Sequence, residues 1–380
     1  MDVTIISPLI YDFENYSLKI GGVETYIYDL AHILKSAKMD VSIYQIDNFT
    51  KEVSLNGVLI KSISIKQTWR KNIYQLLFDN IYSNKGLYIL ATDQLDIRAP
   101  YRNVITIQHG IAFDIPGNML SGFWKKSAAL QLLNKMLRCI KNVHRFYNTP
   151  NTVCVDYNYF NWYRTLGTIT ESMHLKVIPN FSTSSISFGD IKKKMESSNQ
   201  KRIIFARRFV DYRGTLLFLS VAKRIIAEYD DIEITFAGDG PLKKQISDVF
   251  KDEKRVTITS FESSESVLFH YNFDIAVVPT IFSEGTSLSL CEAMASGCFP
   301  IATHVGGMTN MLIDGYNGKL VYPSEGMLYK AIVDVLSLDK KDFCQIVLNA
   351  YATVQKSFSK EKWTLEWLSF IDEVMKNERL

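Results

Sequence analysis

The sequence predicts an α/β protein built from two successive, doubly wound parallel sheets. Short apolar segments alternate with helical patterns of about 10–15 residues along most of the chain, which is typical of βαβ units. The 380 residues are enough for two or three domains. A stretch rich in serine and lysine, residues 181–200, divides the chain into two halves of similar size and is interpreted as a linker.

Composition excludes several classes of protein. Hydrophobic residues make up 47% and charged residues 22% of the chain, which is ordinary for a globular protein and excludes disorder. A net charge of +3 gives no reason to expect nucleic acid as a partner. No apolar run approaches the roughly 18 residues of a membrane span. The first ten residues lack a basic region, so no signal peptide is expected.

Cysteine and histidine spacing points to a reducing, cytoplasmic compartment and to no metal. The five cysteines are odd in number and none forms a C-x-x-C pair, so a disulfide framework is not expected. The six histidines show no H-x-x-x-H spacing. No metal site is therefore expected from the sequence.

In the first half, strand-like runs are separated by helical patterns. A helix is predicted over 24–35, directly after Gly21-Gly22, because apolar residues recur there at helical spacing. The predicted strands are Val3–Ile6, Val41–Ile46, Val58–Ile63, Leu87–Leu90 and Val104–Ile107.

The second half repeats this alternation. Its predicted strands are Arg202–Phe205, Ile232–Ala237, Val256–Thr259, Ile275–Pro279 and Phe299–Ala302. A terminal helix is predicted over 361–380, with one buried aromatic face. Because ligands bind at the carboxyl ends of parallel strands, a cleft between two such domains is the expected active site.

The most informative segment runs from Phe282 to Gly307. It contains two carboxylates, Glu284 and Glu292, and between them Gly285-Thr286-Ser287 opens a helix. The helix-start amides can be capped by Ser or Thr, or can hold a phosphate or a sugar hydroxyl. Carboxylates accept paired hydrogen bonds from vicinal diols. The alternative is an ordinary amphipathic helix with one capping and one surface glutamate.

Three arginines cluster at a second strand-to-helix turn. Arg207, Arg208 and Arg213 follow a predicted strand at the ligand-binding edge of the sheet. The guanidinium group binds phosphate bidentately and keeps its charge, so two of them could replace a divalent metal on a diphosphate. A solvated basic loop is the alternative reading.

Further turns at strand ends are weaker signals. Gly238 lies in the AGDGP turn, Gly21-Gly22 precede the first helix, and His109 follows a strand and precedes a glycine. Each fits a ligand edge, and each also fits a plain turn or a structural histidine. None matches G-x-G-x-x-G at the first strand-to-helix turn, which counts against a dehydrogenase. Candidate polar anchors at similar positions are Asp12, Asp114 and Asp156.

A basic amphipathic segment, residues 118–146, is a candidate contact with an anionic membrane surface. It contains Trp124 and several lysines among leucines, and no acidic residue occurs between Ile115 and Val155. The alternative is that the Leu, Met and Ile side chains pack on the sheet while the lysines form a solvated face.

Taken in order, these motifs resemble those of the family-4 (group 1) glycosyltransferases, which are retaining, nucleotide-sugar-dependent enzymes of the GT-B fold. The resemblance covers about residues 1–320 and is most specific in 201–320, where AGDGP and EGTSLSLCEAMASGCFPIATHVGG match the donor-binding signature. It implies two Rossmann-like domains facing across a cleft: 1–182 for the acceptor and 183–360 for the donor. Helix 361–380 would pack back on the first domain.

The resemblance also implies residue roles. Glu292 would hold the ribose hydroxyls and Glu284 the hydroxyls of the transferred sugar. Arg208 and Arg213 would bind the diphosphate, and His109 would contact the sugar from the first domain. The other implied donor-binding positions are Gly285, Thr286, Ser287, Leu288, Gly21, Gly22, Gly238, and, near the base, Ser260 and Phe261.

Five positions depart from the common family pattern and blur the identity of the donor. Arg207 stands where Gly is usual, and its side chain either adds a third cation or points to solvent. Arg213 replaces Lys, Thr286-Ser287 replace Phe-Gly, and Asn310 replaces Glu.

The implied function is transfer of a sugar from a UDP- or GDP-linked donor to a glycan or lipid-linked glycan, in synthesis of a cell-surface polysaccharide, lipopolysaccharide or capsule. Retention by front-face substitution, without metal or cofactor, is the implied mechanism. The alternatives are another GT-B enzyme, such as an epimerase or a phosphorylase, and a degenerate subunit that binds nucleotide or glycan for a partner enzyme. The joint presence of Glu284, Glu292 and the arginine pair argues against degeneration.

Overall fold

The computed structural model of the protein describes residues 1–19, 21–66, 72–111, 120–168, 173–182 and 186–377. Asp114, the first two residues of segment 118–146 and the last three residues of helix 361–380 lie outside these ranges. The chain forms two compact units. Unit 1 comprises Met1–Ile178 and Thr364–Leu380, and unit 2 comprises Pro179–Trp363.

Unit 1 is built on an eight-stranded sheet with the order β10-β9-β8-β7-β1-β4-β6-β5. All neighbours in this sheet are parallel except β5 and β6. A small antiparallel pair, β2 with β3, stands apart. The strands are β1 Asp2–Ile6, β2 Tyr11–Asp12, β3 Ser17–Leu18, β4 Asp40–Ile46, β5 Lys51–Leu55, β6 Val58–Ile63, β7 Leu87–Leu90, β8 Val104–Gln108, β9 Asn151–Cys154 and β10 His174–Val177.

Among the described residues up to Ile178, the helices that accompany this sheet are α1 Gly22–Ser36, α2 Ile73–Ile81, α3 Ala128–Phe146 and α4 Tyr157–Leu166. In α1, Ile27, Leu30 and Leu34 are fully buried, as their helical spacing predicts. The central strand β7 reads LYIL and is buried throughout, which is typical of a parallel strand covered on both faces.

Unit 2 is built on a six-stranded, fully parallel sheet with the order β13-β12-β11-β14-β15-β16. Its strands are β11 Arg202–Ala206, β12 Glu233–Ala237, β13 Val256–Thr259, β14 Ile275–Val278, β15 Phe299–Thr303 and β16 Lys319–Val321. Its helices are α5 Phe188–Ser197, α6 Thr215–Glu228, α7 Lys243–Val249, α8 Ser266–His270, α9 Leu288–Ala295, α10 Glu325–Leu336 and α11 Lys340–Ser357.

Helix α12, Lys360–Asn377, ends the described chain. Within unit 1, Trp367 of this helix is fully buried and its Nε1 donates a hydrogen bond to the Tyr26 hydroxyl of α1 at 2.8 Å. Phe370, Ile371 and Val374 are buried with it. The aromatic face expected from the sequence therefore covers α1 of the same unit.

Strand order reverses beside the first strand of each sheet. In unit 2 the chain runs outward from β11 through β12 to β13, and then returns to the other side of β11 with β14. In unit 1, β1 likewise lies between β4 and β7. Loops that leave the sheet on opposite sides of such a point open a crevice at the carboxyl edge, which is where ligands bind in these folds.

Two expectations from the sequence need correction. Residues 188–197 are not an open linker but helix α5, which buries Ile191 and Met195 in the core of unit 2. The helical pattern was missed because the stripe is short and the exposed face of α5 is rich in Ser and Lys. The alternative in which the Leu, Met and Ile side chains of 118–146 pack on the sheet is also wrong for Leu132, Leu133, Met136, Leu137 and Ile140 of α3, which are exposed, whereas Leu120 is buried. In the described part of the chain, no helix is both long and apolar enough to cross a bilayer.

Candidate active site

In unit 2 the strand order reverses between β11 and β14, and we call this place the switch point. Charged residues from two different loops lie together there. Arg207 directly follows β11, and Glu284 lies in the loop after β14, the strand beside β11. Parallel neighbours end at the same edge of the sheet, so the two loops meet there.

Glu284 is the centre of a buried network of hydrogen bonds. Its Oε2 accepts from Arg207 Nη2 at 2.7 Å, from Thr280 Oγ1 at 3.0 Å and from Arg213 Nη1. Arg207 Nη1 also donates to Thr280 Oγ1. The Arg207 and Glu284 side chains are only 5% and 9% exposed, whereas that of Arg213 is 29% exposed. Arg207 is thus the inner counter-ion, and Arg213 also reaches solvent.

The charges in this network are mutually dependent. Burial alone would raise the pKa of Glu284, but the positive charges of Arg207 and Arg213 outweigh it and lower the pKa below its usual value. Burial lowers the pKa of Arg207, and the Glu284 carboxylate opposes this shift. A guanidinium keeps its proton in proteins, so at neutral pH the site holds one carboxylate between two cations.

The backbone around Glu284 is held by a close approach of two loops. The Gly307 amide donates to the Glu284 carbonyl at 2.9 Å. A Cβ added at Gly306, where φ is +52°, would lie 1.9 Å from that same carbonyl oxygen. Any other side chain there would push the Glu284 loop away. Ser283, just before Glu284, has φ +45°, a left-handed conformation that costs energy in a non-glycine residue.

Helix α9 carries the second carboxylate. Ser287 caps the helix by accepting from the Leu290 amide at 3.4 Å, and Thr286 and Ser287 are buried. The Thr286 carbonyl accepts from Asn180 Nδ2 at 2.6 Å. Of the two readings open for this helix start, side-chain capping is therefore present at Ser287.

Glu292, one turn further along α9, is held in a different electrostatic setting. Its Oε2 accepts from the Ser266 hydroxyl at 2.7 Å. Burial raises the pKa of Glu292 to about 7, although the Ser266 hydrogen bond and the charge of Arg207 act in the opposite direction. The two glutamates of the motif thus differ in ionisation: Glu284 is a carboxylate throughout the neutral range, and Glu292 titrates within it.

The structure decides the direction of Arg207, which the sequence left open. The two cations that bind Glu284 are Arg207 and Arg213. Arg207 does not point to solvent. Arg208 is exposed, and its side chain forms no hydrogen bond or ion pair with the residues that the structure describes. Successive side chains leave an extended segment on opposite sides, which buries Arg207 and leaves Arg208 free for a ligand.

The other donor-binding candidates of unit 2 lie at the neighbouring strand ends. Gly238 follows β12 with φ +152°, and a Cβ there would lie 2.1 Å from the Arg207 carbonyl oxygen, so glycine is required where these two turns touch. Ser260 follows β13 and is exposed. Phe261 is half-buried and stacks on Phe269 with ring centroids 4.7 Å apart. Gly285 and Leu288 flank the capped start of α9.

In unit 1, the candidate residues also lie at the carboxyl edge of the sheet. His109 follows β8, and its Nε2 donates to the Ala91 carbonyl at 2.8 Å. The Tyr26 ring is nearly perpendicular to the imidazole, with centroids 5.1 Å apart. Burial lowers the pKa of His109 to about 4, so the imidazole is neutral at physiological pH. Gly21 and Gly22 form the start of α1, where Gly21 takes the N-cap position without a capping side chain.

Three residues at these edges were missed by the sequence analysis. Thr280 follows an apolar strand directly, and that position was a usable signal. Asp93 follows β7, and burial raises the pKa of its carboxyl to about 6. Ser266 gave no signal, because its contact with Glu292 depends on how α8 packs on α9. Among the described residues, no three His, Cys, Asp or Glu side chains are grouped closely enough to hold a metal ion.

Comparison with known proteins bears on the family and on the fold. Residues 200–338 match the family model "Glycosyl transferases group 1". Over that span the chain matches the group 1 glycosyltransferases. An uncharacterized glycosyltransferase of Methanocaldococcus jannaschii is 24% identical over 314 residues, covering 79% of this chain and 80% of that protein. The family resemblance inferred from the motifs is confirmed.

Two further matches bear on the fold and on the class of activity. A Salmonella typhimurium protein named lipopolysaccharide 1,2-N-acetylglucosaminetransferase is 26% identical over 188 residues, 46% of this chain and 48% of that protein. The structure of HepE from Anabaena in complex with UDP superposes with a TM-score of 0.70 at 14% identity, covering 98% of this chain and 100% of that one. The predicted GT-B fold is thereby confirmed. The class of activity that the family model and these relatives share is glycosyl transfer.

Proposed function

We propose that the protein transfers a sugar, with retention of anomeric configuration, from a UDP- or GDP-linked donor to a glycan or lipid-linked glycan. The product would be part of a cell-surface polysaccharide, lipopolysaccharide or capsule. The observation that carries the proposal is the network in which Arg207 holds Glu284 ionised at the switch point, beside the solvent-reaching cations Arg213 and Arg208.

The donor would be recognised by charge-assisted hydrogen bonds at both ends. The Glu292 carboxylate would accept from the two ribose hydroxyls, and the Glu284 carboxylate would accept from hydroxyls of the transferred sugar. Hydrogen bonds to a charged group contribute about 1.5–3 kcal/mol each. Arg207 already occupies one side of Glu284, so its second oxygen, Oε1, remains for the sugar.

The diphosphate would bind between the two arginines that reach solvent. Arg208 has its whole guanidinium available, and Arg213 has N–H groups beyond the one that it donates to Glu284. As the bond from the anomeric carbon to the diphosphate breaks, negative charge grows on the leaving oxygen. Preorganised cations stabilise this charge without a metal ion.

His109 would act as a neutral hydrogen-bonding group. With Nε2–H committed to the Ala91 carbonyl, Nδ1 is an acceptor for a sugar hydroxyl. A neutral ring at this position would not compete with the developing positive charge on the anomeric carbon. The acceptor hydroxyl would attack from the same face as the leaving group and pass its proton to the leaving phosphate, which gives retention.

Support for the class of substrate comes from the relatives. The HepE structure contains UDP, and the Salmonella protein is named for lipopolysaccharide. These names favour a uridine donor and a cell-surface glycan as the first substrates to test.

The decisive experiment is a thermal-shift panel of UDP, GDP, ADP and their sugar conjugates. A ligand at about 100 times its Kd stabilises by about 2.7 kcal/mol, or roughly 5–10 °C for a protein of this size. We expect one nucleotide class to raise the melting temperature of the unmodified protein. Glu292→Ala should abolish this increase, and the control Glu325→Ala, which changes an exposed glutamate of α10, should leave it unchanged. No shift with any nucleotide would refute the nucleotide-linked donor. Turnover of the donor, even as slow hydrolysis, separates an enzyme from a degenerate subunit that only binds nucleotide. The anomeric configuration of the product, read from its NMR coupling constants, tests retention.

A further inference from the structure

Helix α3 is amphipathic in the inverse sense to the other helices of unit 1, because its apolar face points to solvent. Leu132, Leu133, Met136, Leu137 and Ile140 are 61, 46, 54, 49 and 63% exposed. Their spacing of three and four residues places them on one continuous stripe along the helix. Side chains of this kind normally lie against the core.

The buried stripe of α3 is polar instead. Asn134 and Asn142 are buried, and half-buried Arg138 lies between them at helical spacing. Arg138 Nε donates to Asn134 Oδ1 at 2.7 Å, and Asn142 Nδ2 donates to the Arg138 carbonyl at 2.8 Å. Near the C-terminal end, Arg145 Nε lies 3.3 Å from Asp96 Oδ1. The first two contacts lie within the helix, whereas the Arg145–Asp96 pair and the hydrogen bond that the Tyr163 hydroxyl donates to the Val143 carbonyl at 3.2 Å join it to other segments. These two contacts, with the burial of Asn134 and Asn142, hold the apolar stripe towards solvent.

Positive charge surrounds the apolar stripe. Lys135 and Lys141 lie on its two sides, with Lys141 also 3.8 Å from Asp96 Oδ2, and the turn that precedes the helix, Gly122–Lys125, is followed directly by Lys126. Phe123 in that turn is 59% exposed, and the Lys126 ammonium lies over its ring, 5.8 Å from the centroid. The sequence contains no acidic residue from 115 to 155. The stripe and its surroundings therefore combine exposed apolar area with positive charge.

We propose that α3 and its preceding turn form a docking surface for an anionic lipid bilayer. The apolar stripe would enter the boundary between headgroups and acyl chains, while the lysines would remain at the level of the lipid phosphates. The charge pattern decides between occupants, because two copies of this face would bring like charges together, whereas an anionic bilayer neutralises them. The inference rests on the proposed function in one respect: a lipid-linked acceptor gives the docking a purpose.

The experiment is vesicle co-sedimentation with the full chain. Vesicles of phosphatidylcholine alone are compared with vesicles containing about one third phosphatidylglycerol, at low and high salt. We expect binding to the anionic vesicles at low salt and at least tenfold weaker binding at high salt, because surface charges are screened. Equal binding to both lipid compositions, or none to either, would overturn the proposal.

A pair of matched variants isolates the apolar stripe. Leu132→Gln/Ile140→Gln removes two exposed side chains of α3, and Ile313→Gln/Leu365→Gln removes two equally exposed ones elsewhere, at 66 and 69%. We expect the first pair to weaken vesicle binding about tenfold or more and the second to leave it unchanged. Equal effects of both pairs would refute docking through α3. A concentration-dependent dimer abolished by the first pair, without vesicle binding, would identify a second copy as the occupant and overturn the proposal.

The result is independent of catalysis. The nucleotide thermal shift without vesicles should be the same in the Leu132→Gln/Ile140→Gln protein and the unmodified protein. Loss of vesicle binding with an intact shift therefore concerns docking alone. An absent shift with intact vesicle binding would instead refute the proposed donor.

Discussion

Donor affinity should rise with pH across the neutral range, because the proposed ribose-binding carboxyl must be ionised. A carboxylate accepts two hydrogen bonds from a vicinal diol, whereas the protonated acid has lost one acceptor. The pKa of Glu292 is about 7 in the ligand-free protein. The expected change follows from the fraction of this group that is ionised.

About one tenth of Glu292 is ionised at pH 6 and about nine tenths at pH 8, which follows from a pKa of about 7. If the donor binds only to the ionised form, its Kd falls about tenfold between these values. The diphosphate of a nucleotide sugar is fully ionised over this interval, so a UDP-sugar or GDP-sugar is a better probe than free UDP. The assay is isothermal titration calorimetry at pH 6, 7 and 8.

Two variants separate the titration of Glu292 from other pH effects. Glu292→Gln should bind more weakly and give a flat profile. Ser266→Ala keeps the carboxyl but removes the hydrogen bond that stabilises its charged form, so the midpoint should move to higher pH. Affinity that falls with rising pH, or a profile unchanged in Glu292→Gln, would refute the assignment of Glu292 to the ribose.

Three further predictions concern stability and charge in unit 2. Folding raises the pKa of Glu292 from 4.5 to about 7, so ionisation of this carboxyl destabilises the native state increasingly as the pH rises through that interval. Glu292→Gln should therefore stabilise the ligand-free protein by up to about 3 kcal/mol at pH 8 and by much less at pH 5, which melting temperatures at the two pH values would measure. Glu284→Ala leaves the Arg207 guanidinium buried without its carboxylate, so it should lower the free energy of unfolding, measured in urea, by about 3–5 kcal/mol. Adding Arg207→Met should restore part of that free energy. A decrease below about 1 kcal/mol in Glu284→Ala would contradict the buried pair. Arg208→Ala should weaken nucleotide-sugar binding about tenfold or more without changing the melting temperature of the ligand-free protein. The control is Arg224→Ala, which removes another exposed arginine and should leave the affinity unchanged. Equal affinities of the two variants would argue against a contact between Arg208 and the phosphates.

Local patterns were sufficient to predict much of the fold. Strands such as β6 and β7 are short apolar runs bounded by turn residues, and their bounds agree with the prediction. The strands that were missed, β9 and β10 among them, are short and mix polar with apolar residues. Their inclusion in the sheet depends on pairing with a neighbour, which no local pattern encodes.

The candidate site, too, could be predicted from the sequence only in part. Which loops carry charge and glycine could be read from the sequence, and so could their position at strand ends. Which arginine faces Glu284 could not, because Arg207 and Arg208 are adjacent and chemically identical. The direction of each side chain follows from the exact end of β11 and from the packing of the Gly238 turn against the Arg207 backbone.

The sequence by itself determined the two-part α/β architecture, the family and the set of charged residues at the carboxyl edges, because periodicity and motif spacing are local properties of the chain. Only the tertiary structure decided that Arg207 is the buried partner of Glu284, that Glu292 titrates near neutrality and that the apolar face of α3 points outward. Each of these depends on burial and on contacts between segments far apart in sequence. Desolvation and charge pairing act over a few ångströms in space, whatever the separation along the chain.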